Sequence, residues 1–311
     1  MRRVILPKPN TKLAIVCVGG GAKGRWQAGA LFALHELGYA EAASILVGTS
    51  VGGLNACALA MSMAQGLGAD LLRDAWSKIK ANSDVYYPDM PPAGLPLTLP
   101  RYLGALRSFI WGESLCDTEA LGRLCQWVFA EDTADQVKSA TGQDVYTRAF
   151  NYVTGQAETL GGSMKLKDMA RATSAIEGVF PDHMINGQPY GDGGLLDNQP
   201  VDIAIEKGAT HVIVVYCAPD GSPKDPGQDD SKNRVTGMAR ALRAMDRAIA
   251  SHEDEVWARC AAHPEVKFMP IYPAMDTGPV LDFTNQRLFQ DGYVIAFGAA
   301  QMQEMAFDFI A

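Results

Sequence analysis

Two short apolar runs, each broken by glycines and then followed by a helical stretch, narrow the folds open to this 311-residue chain. Leu13-Ala14-Ile15-Val16-Cys17-Val18 has no polar face, as in strands covered on both sides of a parallel sheet. It runs into Gly19-Gly20-Gly21-Ala22-Lys23-Gly24, after which Trp26 to Leu37 shows helical apolar spacing ended by Gly38. The second run, Ser44-Ile45-Leu46-Val47, meets Gly48-Thr49-Ser50-Val51-Gly52 and then the small-residue stretch from Gly53 to Met61. Strand, turn, helix, strand, turn and helix implies a right-handed parallel α/β arrangement.

The second turn is a G-x-S-x-G match in the context that a nucleophile elbow requires. Gly48 and Gly52 allow a sharp strand-to-helix turn that lifts the Ser50 hydroxyl to the C-terminal edge of the sheet. A serine used in this way needs a base and a set of donors for an oxyanion.

The first glycine turn fits two templates. As G-x-G-x-x-G it matches a dinucleotide-binding fingerprint, which needs an acidic residue at the end of the second strand to hold a ribose. Here that strand ends in Gly48-Thr49-Ser50. A Walker A loop fails as well, because Lys23 is followed by Gly24. The favoured reading is an anion cradle made of backbone N–H groups at a helix N-terminus, with Lys23 nearby.

Histidine is the usual base, and the chain has five. His35 falls in the first helix, His211 opens a buried strand, His252 lies in a charged helix and His263 precedes a proline. His183 alone is expected in a loop that could reach a site. The better candidate is Asp192, in Tyr190-Gly191-Asp192-Gly193-Gly194, where glycines allow a sharp bend that brings the carboxylate close to a serine. An ordinary aspartate is a weak base, so this site requires partial desolvation and a strong oxyanion hole.

Elsewhere, residues 117–130 read as a helix, Asp144 to Thr154 as a strand and Lys167 to Ser174 as the opening of another helix. Thr210 to Tyr216 reads as a buried strand, 236–262 as a charged helix, Val266 to Ile271 as a last strand and 284–309 as a closing helix. Residues 85–113 hold five prolines among large apolar residues and read as a packed loop or as a cap beside an acyl-chain groove. Residues 219–234 read as a polar loop. The expected organisation is a polar tail over 1–11 and one domain over 12–311.

The net charge of −8 and the lack of a basic block argue against nucleic acid as a partner and against strong adsorption to anionic lipid. Six cysteines without C-x-x-C or metal-ligand spacing suit buried thiols of a reducing compartment, and no metal or organic cofactor is expected. No run reaches the length of a membrane span and no signal-peptide core is evident, so a cytoplasmic location is expected.

In order, Gly19–Gly24, Gly48–Gly52 and Asp192-Gly193-Gly194 resemble the three motifs of the patatin-like phospholipases. Supporting stretches are Ser114–Glu119, Ala170–Ile176, Gly178–Pro181 and Asp197–Pro200. The resemblance covers about residues 12–217 and implies a three-layer α/β/α sandwich with a mainly parallel central sheet. It implies Ser50 as nucleophile, Asp192 as base, and an oxyanion hole from the backbone of the 19–24 loop, centred on Gly20, Gly21 and Ala22. Gly193 and Gly194 would shape the base loop. The implied activity is lipid acyl hydrolysis of a phospholipid or lysophospholipid through an acyl-enzyme, with at most transient contact with a membrane surface. Acyl transfer to another acceptor, and lipid or nucleotide binding without turnover, stay open. Asp197 and Asn198 are read as a capped turn before a helix at 201–207.

Overall fold

The computed structural model describes residues 10–87, 114–219 and 253–307. Most of the expected tail at 1–11, the proline-rich segment beyond residue 87, the loop from residue 220 to 234 and the first part of the charged helix, with His252, lie outside the described residues.

Among the described residues, eight strands form one sheet: β1 (Leu13–Cys17), β2 (Ala43–Thr49), β3 (Asp144–Asn151), β4 (Gln156–Leu160), β5 (His183–Ile185), β6 (Gln188–Asp192), β7 (His211–Val215) and β8 (Lys267–Ile271). The helices are α1 (Gly24–Glu36), α2 (Tyr39–Ala42), α3 (Val51–Ala64), α4 (Asp70–Lys78), α5 (Glu119–Phe129), α6 (Ala134–Thr141), α7 (Leu166–Thr173), α8 (Val201–Glu206), α9 (Glu253–Ala261) and α10 (Leu288–Phe307).

Strands β3, β2, β1, β7 and β8 are mutually parallel in that order. Every residue of β1 is buried. Its alternating side chains feed two cores, Leu13, Ile15 and Cys17 on one face and Ala14, Val16 and Val18 on the other. The first core packs α1, α3, α4, α5, α7 and α10, and the second packs α8 and α9. That is a three-layer α/β/α sandwich. Each large side chain fully buried there, such as Leu31 or Leu34, contributes about 1.5–3 kcal/mol.

The antiparallel part of the sheet differs from the expectation. His183 opens strand β5 instead of a loop, and Asp192 closes strand β6 instead of sitting mid-turn. The hairpin turns at Asn186-Gly187, whose φ values of 50° and 79° suit a tight two-residue connection. That Asn-Gly pair is the sequence signal for the hairpin. The strands themselves are too short, and too rich in glycine and proline, to show a clear period.

Register places this hairpin next to the elbow. Thr147 and Arg148 pair with both β2 and β4, so those two strands take opposite edges of β3. Ala149 to Asn151 pair with both β4 and β6, so β6 takes the same edge as β2. β6 runs towards β2, with Thr49 opposite Arg148 and Asp192 opposite Ala149. The C-terminal ends of the two strands meet head-on.

Candidate active site

Ser50 sits between β2 and α3 with φ 57° and ψ −133°, a combination that a side chain normally avoids. The flanking glycines are sterically required. A Cβ on Gly48 would lie 2.3 Å from the Gly52 carbonyl, and one on Gly52 would lie 2.2 Å from the Cys17 carbonyl. Such close approach leaves only glycine at both positions, so the elbow is packed against β1 by backbone contact.

Surrounding polar groups fix the turn. The Ser50 N–H donates to Thr173 Oγ1 at 2.9 Å, and that hydroxyl donates to the Arg148 carbonyl at 2.5 Å. Thr49 Oγ1 donates to the Asp197 carbonyl at 2.9 Å. The Ser50 hydroxyl is therefore aimed by its own backbone, which is tied to α7, to β3 and to the turn after Asp192.

Asp192 lies opposite Ser50 and is likewise buried. Burial pushes its carboxyl up to about 7, while hydrogen bonds from the Ser50 side chain and the Gly194 N–H favour the ionised form. The Gly194 bond measures 2.8 Å. The backbone of Asp192 is held by its N–H, which donates to the Ala175 carbonyl at 2.8 Å. An aspartate near neutrality is a far better proton acceptor for a serine than an exposed one.

The glycine loop at 19–24 forms a 3-10 turn over Gly21–Lys23 that leads into α1 at Gly24. Its donors are not equivalent. The Gly19 N–H donates to the Asn198 carbonyl at 3.2 Å, the Ala22 N–H to the Val280 carbonyl at 2.6 Å and the Lys23 N–H to the Gly20 carbonyl at 3.2 Å. Gly20 and Gly21 keep N–H groups with no acceptor among the described residues. This narrows the donor set expected from the sequence, because Ala22 is already committed to Val280.

His183 is turned to another partner; its Nε2 shares a hydrogen bond with Asp168 at 3.0 Å, on α7. Asp197 and Asn198 also depart from the expected capped turn. The N-cap of α8 is Pro200, with no side-chain cap. Asp197 instead takes Arg148 Nε at 2.7 Å, and the same guanidinium reaches Asp202 at 2.6 Å. Arg148 gave no signal in the sequence beyond its place in a strand. Thr173 and Asn198 do fall in supporting stretches of the resemblance, without a role assigned there.

An apolar cavity of about 70 Å³ has Ser50 and Gly21 in its wall and runs between α3, α4 and α5, past Leu54, Ala58, Trp76 and Val128. Trp76 donates its indole N–H to Asn55 Oδ1 at 2.8 Å, and Asn55 donates to the Gly24 carbonyl at 2.9 Å. The polar edge of the cavity wall is thus satisfied internally, so the wall presents mainly hydrocarbon.

The chain matches the family model for patatin-like phospholipase over residues 15–205. The chain belongs to the patatin-like phospholipase family. Members of this family act on lipid substrates. Among solved structures, this patatin-like chain is similar to human GIVD cytosolic phospholipase A2, at 10% identity and a TM-score of 0.51, over 97% of this chain and 60% of that one. The same human protein in complex with methyl gamma-linolenyl fluorophosphonate gives a TM-score of 0.50 at 10% identity, over 97% and 59% of the two chains. VipD from Legionella pneumophila aligns over 97% of this chain and 71% of its own, at 13% identity and a TM-score of 0.47. The patatin-like chain thus spans about three fifths of the human phospholipase. No curated protein sequence matches it. Among the described residues of this patatin-like protein, no helix is long and apolar enough to cross a membrane, and no group of His, Cys, Asp and Glu could hold a metal. All six cysteines are buried and unbridged.

Proposed function

We propose that this protein hydrolyses the carboxylic ester of a lipid, a phospholipid or lysophospholipid, with Ser50 as nucleophile and Asp192 as base. The observation that carries the reading is the meeting of a strained, buried serine with a buried carboxyl near neutrality, at the wall of an apolar cavity. Ser50 Oγ attacks the acyl carbon and its proton passes to Asp192. The oxyanion is stabilised by the Gly20 and Gly21 N–H groups, aided by the positive end of α3. The ester C–O bond breaks and the alcohol leaves with the proton from Asp192, leaving an acyl-serine. Water then attacks the acyl-serine, gives a proton to Asp192, and the fatty acid departs as Ser50 recovers it. The acyl chain lies in the cavity, where its methylenes leave water.

A lipid fluorophosphonate is the probe of choice, since one is bound in the related human structure. Wild-type protein is expected to take up one equivalent and Ser50→Ala none; equal uptake by both would overturn the nucleophile. Asp192→Asn is expected to lose about 10²–10⁴-fold in kcat, the range for removal of a general base.

A further inference from the structure

Asn198 is 1% exposed and grips Gly19 from both sides. Its backbone carbonyl accepts the Gly19 N–H at 3.2 Å, and its side-chain Nδ2 donates to the Gly19 carbonyl at 3.3 Å. The Gly19 carbonyl and the Gly20 N–H are opposite ends of one planar peptide unit, so holding the first sets the direction of the second. A hydrogen bond accepted at that carbonyl also polarises the N–H at the far end.

The same amide lies against two glycines, Gly19 and Gly194, that border Ser50 and Asp192 respectively. A Cβ on Gly19 would meet Asn198 Oδ1 at 2.1 Å and Ser50 Cβ at 3.0 Å. One on Gly194 would meet Asn198 Oδ1 and Asp192 Oδ1 at 3.0 Å each. The Asn198 Oδ1 is buried and has no hydrogen-bond partner among the described residues. A buried amide left half-satisfied is costly, and a simple strap would not need a side chain with an idle acceptor.

We propose that Asn198 is a positioning residue for ester hydrolysis, aiming the Gly20 N–H at the substrate oxyanion through the Gly19–Gly20 peptide. The proposal rests on the Ser50–Asp192 reading. Asn198 itself does not touch substrate; it locks the oxyanion loop to the base loop so that donor and base keep one relative geometry.

Two variants test it on the full chain. Asn198→Asp is nearly isosteric and keeps the backbone bond to Gly19, but replaces the side-chain donor with a charged acceptor. Asn198→Ala removes the side chain without adding charge. With a short-chain ester, kcat is expected to fall about 10-fold to 100-fold in both, somewhat less than for loss of a whole oxyanion donor. KM stays within about twofold, since the lost interaction belongs to the transition state. The rate of fluorophosphonate labelling falls with kcat, while its amplitude stays at one per chain. Asn198→Asp also moves the acidic limb of kcat/KM to higher pH, because a second anion opposes ionisation of Asp192, and Asn198→Ala leaves that limb in place. Wild-type labelling rate and kcat in the variants would overturn the proposal. So would a reduced labelling amplitude at an unchanged rate, the mark of a purely structural role. Labelling that persists in Ser50→Ala would overturn the underlying dyad instead, and is read separately.

Discussion

Thr49 and Asp192 lie end to end along one edge of β3, Thr49 opposite Arg148 and Asp192 opposite Ala149. A parallel strand and an antiparallel one thus share a single row of the sheet, and their facing ends present the next residue, Ser50, to the carboxylate. The proposed base is delivered by sheet register, with no histidine interposed.

The pH behaviour follows from the buried carboxyl. Asp192 must be ionised to accept a proton, so kcat/KM is expected to rise along a one-proton limb with its midpoint at about 7. Stability runs the other way. Between about pH 4 and pH 7 the native state retains a proton that the unfolded chain has released, so this contribution is full at low pH and lost as pH rises through about 7. Asp192→Asn is expected to abolish the limb and to be more stable than wild type above neutrality. Rate–pH profiles, with urea unfolding at about pH 5 and about pH 8, check both signs.

Strain at the elbow predicts a difference between two variants that lack the Ser50 hydroxyl. Ser50→Ala keeps a Cβ at φ 57°, whereas Ser50→Gly relieves it. Relief of about 1–3 kcal/mol, less about 0.5–1 kcal/mol of added unfolded-state entropy, leaves Ser50→Gly more stable by roughly 1 kcal/mol. Denaturant midpoints of the two variants measure the gap. Equal midpoints would mean that the elbow stores no strain.

Thr173 holds the Ser50 N–H from outside the three glycine-containing motifs. Thr173→Val keeps the volume but leaves that N–H without its acceptor, at an expected cost of about 1–3 kcal/mol in stability. The Ser50 hydroxyl loses its fixed aim, so kcat falls while KM for a short ester holds. Thr173→Ser, which retains the hydroxyl, is expected to recover most of the rate.

The Arg148–Asp197 pair is largely buried, at 12% and 9% side-chain exposure. Burial and the neighbouring Asp202 push the Asp197 carboxyl up, and Arg148 opposes them. Arg148→Met leaves this buried carboxylate with only the half-exposed Arg259 at 4.0 Å, so the expected loss is about 3 kcal/mol, the low end of the range for a broken buried pair. The same substitution in an Asp197→Asn background is expected to cost distinctly less. A double-mutant cycle in urea measures the coupling, and additivity would show that the pair contributes nothing of its own.

Much of this site can be read along the chain because its parts are local. The strands β1 and β2 carry short apolar runs, and Gly48 and Gly52 of the elbow are forced by contacts within a few residues or across one strand. Ser50, Asp192 and the Gly19–Gly24 turn each have a visible motif. The resemblance supplied their order, which spacing alone would have left open. The helices at 70–78 and 134–141 and the antiparallel strands β4 to β6 are absent from that reading, since short amphipathic segments give little periodicity.

What the sequence by itself determined is the strand–turn–helix grammar, the α/β layering and the identity of a serine and an aspartate set among glycines. Only the tertiary structure decided which backbone donors stay free, because Ala22 is taken by Val280 and Gly19 by Asn198, residues far along the chain. It alone decided how buried Asp192 is, and so its displacement to about 7. Motifs record which residue types a turn can hold. Hydrogen-bond partners and desolvation depend on segments brought together from more than a hundred residues away, and no local pattern encodes them.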